Sequence, residues 1–196
     1  MRKVVLSTYT TLDGVMSPLD WHFPFWDEEM GRYARDLLFS SDALLMGRDN
    51  YEGFAPVWSK QTAADDAPGA PGFTDRINSM PKFVASTTLK DPLEWNATLI
   101  IGNLVNEVAK LKRKPGQNIL MYGAGPVGQL LLKNGLVDEL QFLVHPVVWG
   151  IGDRVFQNAT DLPELKLVST TAFDSGIVLL TYRPLKTNGA KLPHVG

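Results

Sequence analysis

The chain contains no cysteine. That excludes a disulfide framework, a thiolate nucleophile and any Cys-ligated metal or iron–sulfur site. Its three histidines, His22, His145 and His194, are far apart and lack metal-ligand spacing. No apolar run approaches the roughly 20 residues of a spanning helix. The first one breaks after Leu6, too soon for a secretory signal. Charge of one sign is lacking too: 19 basic residues face 21 acidic ones, net −2, which argues against a nucleic-acid footprint. A soluble, cytoplasmic protein without membrane or nucleic-acid partners is the expectation. Apolar residues make up 44 % and charged residues 20 % of 196 residues, an ordinary globular balance. We expect one domain over residues 1–183 and a loose tail over 184–196.

Strand signals recur at 2–9, 43–46, 82–86, 97–101, 119–122 and 137–145. Helix patterns cover 28–40, capped by Asp27, then 103–113 and 129–134. Residues 165–173 and 177–182 read as a closing hairpin around Asp174-Ser175-Gly176. Residues 15–26, crowded with aromatics and proline, read as irregular, and 60–72 as an exposed loop. Alternating strands and helices followed by consecutive strands predict an α/β fold, mainly parallel, with an antiparallel edge.

Gly123-Ala124-Gly125-Pro126-Val127-Gly128 fits G-x-G-x-x-G between a strand and a helix. Glycines there let backbone N–H groups approach a pyrophosphate at a helix N-terminus. The turn lies late in the chain, and position 20 beyond Gly123 is Leu143, where a standard dinucleotide fold has an acid. A tight βα turn without ligand is the alternative. Gly47-Arg48 ends another strand, where a guanidinium grips a phosphate or merely caps the strand. Ser86-Thr87-Thr88 ends a third, with hydroxyls for a phosphate or for the turn. Asp13 heads a turn signal and is also a candidate acid. Trp21, Phe25 and Trp26 suit either a flat-ligand pocket or a packed lid. His22 is a candidate acid or an exposed side chain. Tyr122 is either a hydrogen-bond donor or core.

Three segments carry a resemblance. Leu44-Leu45-Met46-Gly47-Arg48-Asp49-Asn50-Tyr51-Glu52 resembles a segment of dihydrofolate reductases. Gly135-Leu136-Val137-Asp138-Glu139-Leu140, with His145-Pro146-Val147-Val148 and Gly150-Ile151-Gly152, resembles the reductase domain of bifunctional riboflavin-biosynthesis deaminase–reductases. Leu12-Asp13-Gly14 matches the same family's opening. The resemblance implies a dihydrofolate-reductase-like three-layer fold, with a mostly parallel sheet and an antiparallel C-terminal strand. It further implies NADPH as hydride donor and a homodimer.

By the same resemblance, Gly47, Arg48, Asn50, Ser86 and Thr87 would meet the adenosine-side phosphates. Gly123, Ala124, Gly125, Pro126, Val127, Gly128 and Gln129 would wrap the pyrophosphate, with Asp13, Gly14 and Val15 near the nicotinamide. Trp21, Phe25, Trp26 and Tyr122 are then the substrate candidates, and Asp13 the catalytic one. The chain departs from both families. The deaminase half is missing, Tyr122 stands where riboflavin reductases commonly have a glutamate, and Met30 or Gly31 stands at the first-helix acid of dihydrofolate reductases. The expected activity is reduction of a small heteroaromatic or pterin-like substrate. A nucleotide- or flavin-binding module without turnover and dihydrofolate reduction itself are the alternatives.

Overall fold

The computed structural model describes residues 1–185. Ten strands and five helices follow in the order β1 (Val4–Thr11), β2 (Val15–Ser17), α1 (Glu28–Phe39), β3 (Ser41–Gly47), α2 (Arg48–Trp58), α3 (Phe73–Ser79), β4 (Lys82–Ala85), β5 (Ala97–Ile100), α4 (Leu104–Arg113), β6 (Asn118–Tyr122), α5 (Pro126–Lys133), β7 (Glu139–His145), β8 (Asp153–Arg154), β9 (Leu165–Ala172) and β10 (Val178–Pro184). Eight strands form one sheet in the order β5-β4-β3-β6-β1-β7-β10-β9, and β2 pairs with β8 apart from it. All pairings from β5 to β7 are parallel, and β10 runs antiparallel to both its neighbours. The α/β fold with an antiparallel C-terminal strand is therefore as expected.

Alternation along the strands makes a two-sided core. Val4 and Leu6 of β1, with Ile119 and Met121 of β6, pack against Val108 and Leu111 of α4 and Leu131 and Leu132 of α5. Val5, Leu44, Met46 and Leu120 face the other way, against Leu37 and Leu38 of α1, Tyr51 and Ala55 of α2 and Ile77 of α3. The result is three layers. Asp27 caps α1 by accepting from the Met30 N–H at 2.8 Å.

Some local expectations need correction. Residues 15–26 are not irregular: they hold β2 and a 3-10 helix over Asp20–Phe25. The helices α2 and α3 were not evident in the pattern. The α2 segment contains Gly53 and Pro56, and α3 has only seven residues. The 60–72 loop is mostly exposed but docks on α1, where a Cβ on Gly31 would meet the Pro68 carbonyl oxygen at 1.8 Å. Helix α5 starts inside the glycine turn, at Pro126. At the C-terminus, Pro184 still belongs to β10 and the Leu185 N–H donates to Glu164. Residues 186–196, including His194, lie outside the described residues. Among those described, no helix is long and apolar enough to cross a membrane. None of their His, Asp and Glu side chains gather as a metal site.

Candidate active site

In an open parallel sheet, ligands bind beyond the carboxyl ends of the strands. Here those ends are Thr11, Gly47, Ala85, Ile100, Tyr122 and His145. Two helices begin side by side among them. Gly47 is the N-cap of α2 and Gly125 the N-cap of α5, both extended and neither supplying a side-chain cap. A Cβ on Gly47 would lie 3.2 Å from Val127 Cγ2, so the two helix starts touch. Their free N–H groups and aligned dipoles favour an anion between them.

The glycine turn divides its labour. Gly123 takes a left-handed φ of 82°, which glycine alone adopts without strain. Asn50, in the first turn of α2, donates to the Tyr122 carbonyl and ties the two starts together. Gln129 donates to the carbonyl of the buried Ala124 at 3.1 Å, and Gly128 lets α5 close on β1. Gly125 is different: its φ is −70° and a Cβ there would meet nothing within 4 Å. The fold does not require glycine at this position, and the open space beside the helix start suits a bound phosphate. Pro126 at the first helical position has no N–H to leave unpaired.

Arg48 opens α2 and is half-exposed. Its guanidinium donates to Thr88 Oγ1 at 3.3 Å and pairs with Asp49 at 3.2 Å and Glu52 at 3.6 Å. Ser86 accepts from the N–H groups of Thr88 and Leu89 at 3.1 and 3.0 Å, while Thr87 is exposed. Thr88, third of the hydroxyl run, is thus the link between Arg48 and Ser86.

Asp13 fastens two loops together. Oδ1 accepts from Thr11 Oγ1 at 2.6 Å and from the Trp149 N–H at 3.0 Å, and Oδ2 from the Gly150 N–H at 2.9 Å. Arg154 donates to its carbonyl and lies 3.3 Å from Oδ2. The Thr11 hydroxyl and these neighbouring donors hold the carboxyl well below the usual carboxylate range. Gly14, at φ 83°, accepts from the Val155 N–H, and the buried Val15 donates to Thr11 Oγ1 at 2.9 Å. These three residues pin the turn after β1 to the loop after β7.

The α1 side of the sheet carries an aromatic wall. Trp21 is buried and meets His145 edge-on at 4.9 Å, as Phe25 does at 5.7 Å. His22 lies 5.3 Å from Tyr9 and 6.0 Å from Trp26. Tyr122 faces Phe54 at 5.8 Å. Tyr33 of α1 donates to Gln141 at 2.7 Å and lies 3.2 Å from Ser7 Oγ. Burial pushes the Tyr9, Tyr33 and Tyr122 hydroxyls up, and pushes His22 down to about 4, helped by His145. His145 is lowered by burial as well. The wall is therefore uncharged at neutral pH. Sequence reasoning gave Tyr9, Tyr33 and His145 no place in this wall. Alternation was the available signal: Ser7, Tyr9 and Thr11 stand opposite Gln141, Leu143 and His145 on one face.

Residues 2–179 match the family model of the RibD C-terminal domain. The chain is 31 % identical to the uncharacterized protein YyaP of Bacillus subtilis (strain 168), over 92 % of this chain and 94 % of that one. Among solved structures it resembles a Shewanella sp. PV-4 protein named for riboflavin biosynthesis, with TM-score 0.72 and 23 % identity over 94 % of this chain and 99 % of that one. It also resembles the Thermotoga maritima diaminohydroxyphosphoribosylaminopyrimidine deaminase/5-amino-6-(5-phosphoribosylamino)uracil reductase. There the TM-score is 0.56 and the identity 16 %, over 94 % of this chain and 57 % of that one. With the family matched along nearly the whole domain and the dihydrofolate-reductase-like architecture shared, the chain belongs to the RibD C-terminal domain family, a family of reductase type.

Proposed function

We propose that the protein is an NADPH-dependent reductase of a small heteroaromatic substrate. The observation that carries this reading is the pair of glycine-capped helix starts, at Gly47 and Gly125, touching at the carboxyl ends of neighbouring strands. A dinucleotide's pyrophosphate suits that arrangement. In this reading Gly123, Gly125, Val127 and Gly128 hold the pyrophosphate, with Asn50 fixing the turn. Arg48, Ser86 and Thr88 receive the 2′-phosphate, and the loop fastened by Asp13 borders the nicotinamide. NADPH, when bound, supplies the hydride. Trp21, Phe25, Trp26 and Tyr122 stack and orient a flat acceptor.

Both Asp13 oxygens are already engaged, so its role in this reading is to hold the loop, and the reduced substrate's proton comes from solvent or another group. That same engagement favours a second reading, a nucleotide-binding module without turnover. Dihydrofolate reduction proper is disfavoured because α1 turns Met30, Gly31 and Ala34 inward, with no acid among them.

Calorimetric titration with NADPH and NADH, followed by NADPH oxidation over a panel of heteroaromatic acceptors, tests the proposal. Asp49 and Glu52 compete for the Arg48 guanidinium, so we expect NADPH to be preferred about tenfold, the lower end for a charge-assisted contact. Arg48→Ala removes the preference. Equal affinities in the unaltered protein would defeat the cofactor assignment, and binding without oxidation of any acceptor would favour the second reading.

A further inference from the structure

We propose that the aromatic wall takes an uncharged ring compound presenting hydrogen-bond acceptors, in its unphosphorylated rather than its phosphorylated form. This rests on the reductase reading above and narrows its substrate class.

The first argument is hydrogen-bonding capacity. Six buried side-chain polar atoms lack a partner among the described residues, and three belong to this wall: Trp21 Nε1, Trp26 Nε1 and the Tyr122 hydroxyl. Native proteins leave few such groups unpaired, and those left call for a ligand or another cause. An indole N–H donates only. A ligand that reaches the two indoles must therefore bring acceptors, such as ring carbonyls or ring nitrogens. Tyr122 is protonated at any ordinary pH and adds a third donor. A flat, carbonyl-bearing heterocycle matches both this donor set and the stacking faces around it.

The second argument is charge. Binding a phosphate ester needs a cation or a free helix start. Two arginines border this end of the sheet. Arg154 is committed to Asp13 and to the Gly150 carbonyl, and Arg48 is taken up by the dinucleotide's 2′-phosphate in the reductase reading. The three cation–π contacts among the described residues lie elsewhere, on Phe39 and Trp95. Both imidazoles of the wall are neutral at pH 7. The segment is flanked by Asp20, Asp27, Glu28 and Glu29, which repel an anion. The two free helix starts belong to the dinucleotide in the reductase reading. A phosphate arriving at the wall would lose its hydration and gain no countercharge.

Riboflavin and FMN share one ring system and differ by a phosphate, and lumazine is a smaller neutral dione. Each is titrated calorimetrically into the full chain, with and without NADP+. We expect riboflavin and lumazine to bind and FMN to bind at least about tenfold more weakly than riboflavin. Trp21→Phe, which deletes a donor and leaves a smaller aromatic ring, and Tyr122→Phe, which deletes a donor and keeps the ring, should each weaken riboflavin at least about fivefold, the effect of one net hydrogen bond. NADP+ affinity should not change in either variant. FMN binding as tightly as riboflavin overturns the proposal, as does absence of binding by both neutral rings or indifference to both substitutions. If Trp21→Phe does not fold, Tyr122→Phe and the riboflavin-to-FMN ratio still decide. Loss of NADP+ binding with the ratio intact would instead count against the cofactor reading alone.

Discussion

Asp13 shows how one residue type admits opposite roles until its neighbours are known. An aspartate in a turn before glycine is a turn-former, and one near a nicotinamide is a candidate acid. Surrounded by Thr11, Trp149, Gly150 and Arg154, it stays ionised far into acid. Because its folded-state value is depressed, the stabilisation it gives is complete above about pH 4 and is lost as pH falls through the folded value. Asp13→Ala should release the loop after β7, so that hydrogen exchange at the Trp149 and Gly150 amides speeds up. An acid role predicts lost turnover with those amides unchanged.

Lys82 is the other telling residue, fully buried at the far end of the sheet. Its ammonium donates to the Asn78 carbonyl at 2.8 Å and lies 4.2 Å from the Trp95 ring. Burial pushes it down to about 8. Between that value and the unfolded lysine's, the unfolded chain binds more protons, so stability rises with pH, by at most about 3 kcal/mol. Above about pH 10 the trend reverses, because the unfolded chain ionises tyrosines that Tyr9, Tyr33 and Tyr122 keep protonated. Urea midpoints should climb from pH 7 to 9.5 in the native chain and stay flat in Lys82→Met. A flat native profile would remove the lysine from this account.

At the scale of elements, the glycine turn separates packing from binding. Gly128 lies on the inner side of α5, where an added Cβ would meet Leu6 Cδ1 at 2.7 Å in the core. Gly128→Ala should destabilise by about 1–3 kcal/mol. Gly125→Ala meets no atom, and the loss of a good cap opposes the gain from a stiffer unfolded chain. Stability should therefore move by less than about 1 kcal/mol, while NADPH affinity falls at least about tenfold if the phosphate reading holds. Thermal unfolding and calorimetry of the two variants give opposite patterns. Loss of stability without loss of binding at Gly125 would reduce the motif to a βα turn. The G-x-G-x-x-G spacing was plain in the sequence, but its division between core and ligand was not, since spacing does not record which side of the helix faces the sheet.

At the scale of the whole molecule, the sheet ends in an edge strand: among the described residues β9 pairs only with β10 and is exposed almost throughout, with Leu167 and Val168 both more than 40 % exposed. Such an edge invites pairing or packing with another chain. The family resemblance implies a homodimer, and we propose that the two copies associate through the β9–β10 hairpin around a two-fold axis. Sedimentation should then give a dimer at micromolar concentration, and Val168→Lys should shift it toward monomer. A monomer in the unaltered protein would refute this.

The order of strands and helices was legible along the chain because buried strands and amphipathic helices leave local periodicities, as in 119–122 and in α1 and α4. The short family motifs carried the fold class and pointed to the proposed phosphate side of the site, since glycines and an arginine at strand ends are local signals. Helices α2 and α3 were hidden because packing against β3 and β4 overrides Gly53, Pro56 and a seven-residue length. The aromatic wall lay deeper still. Tyr9, Tyr33 and His145 come from β1, α1 and β7, separated by more than a hundred residues at the extremes, and meet Trp21 and Tyr122 only once the parallel register Ser7↔Gln141 and Ser7↔Tyr122 is formed. Local chemistry thus settled which elements form. Long-range pairing alone decided which side chains share a face, which hydroxyls and indoles are left without partners, and that Asp13 is bound to a loop far along the chain.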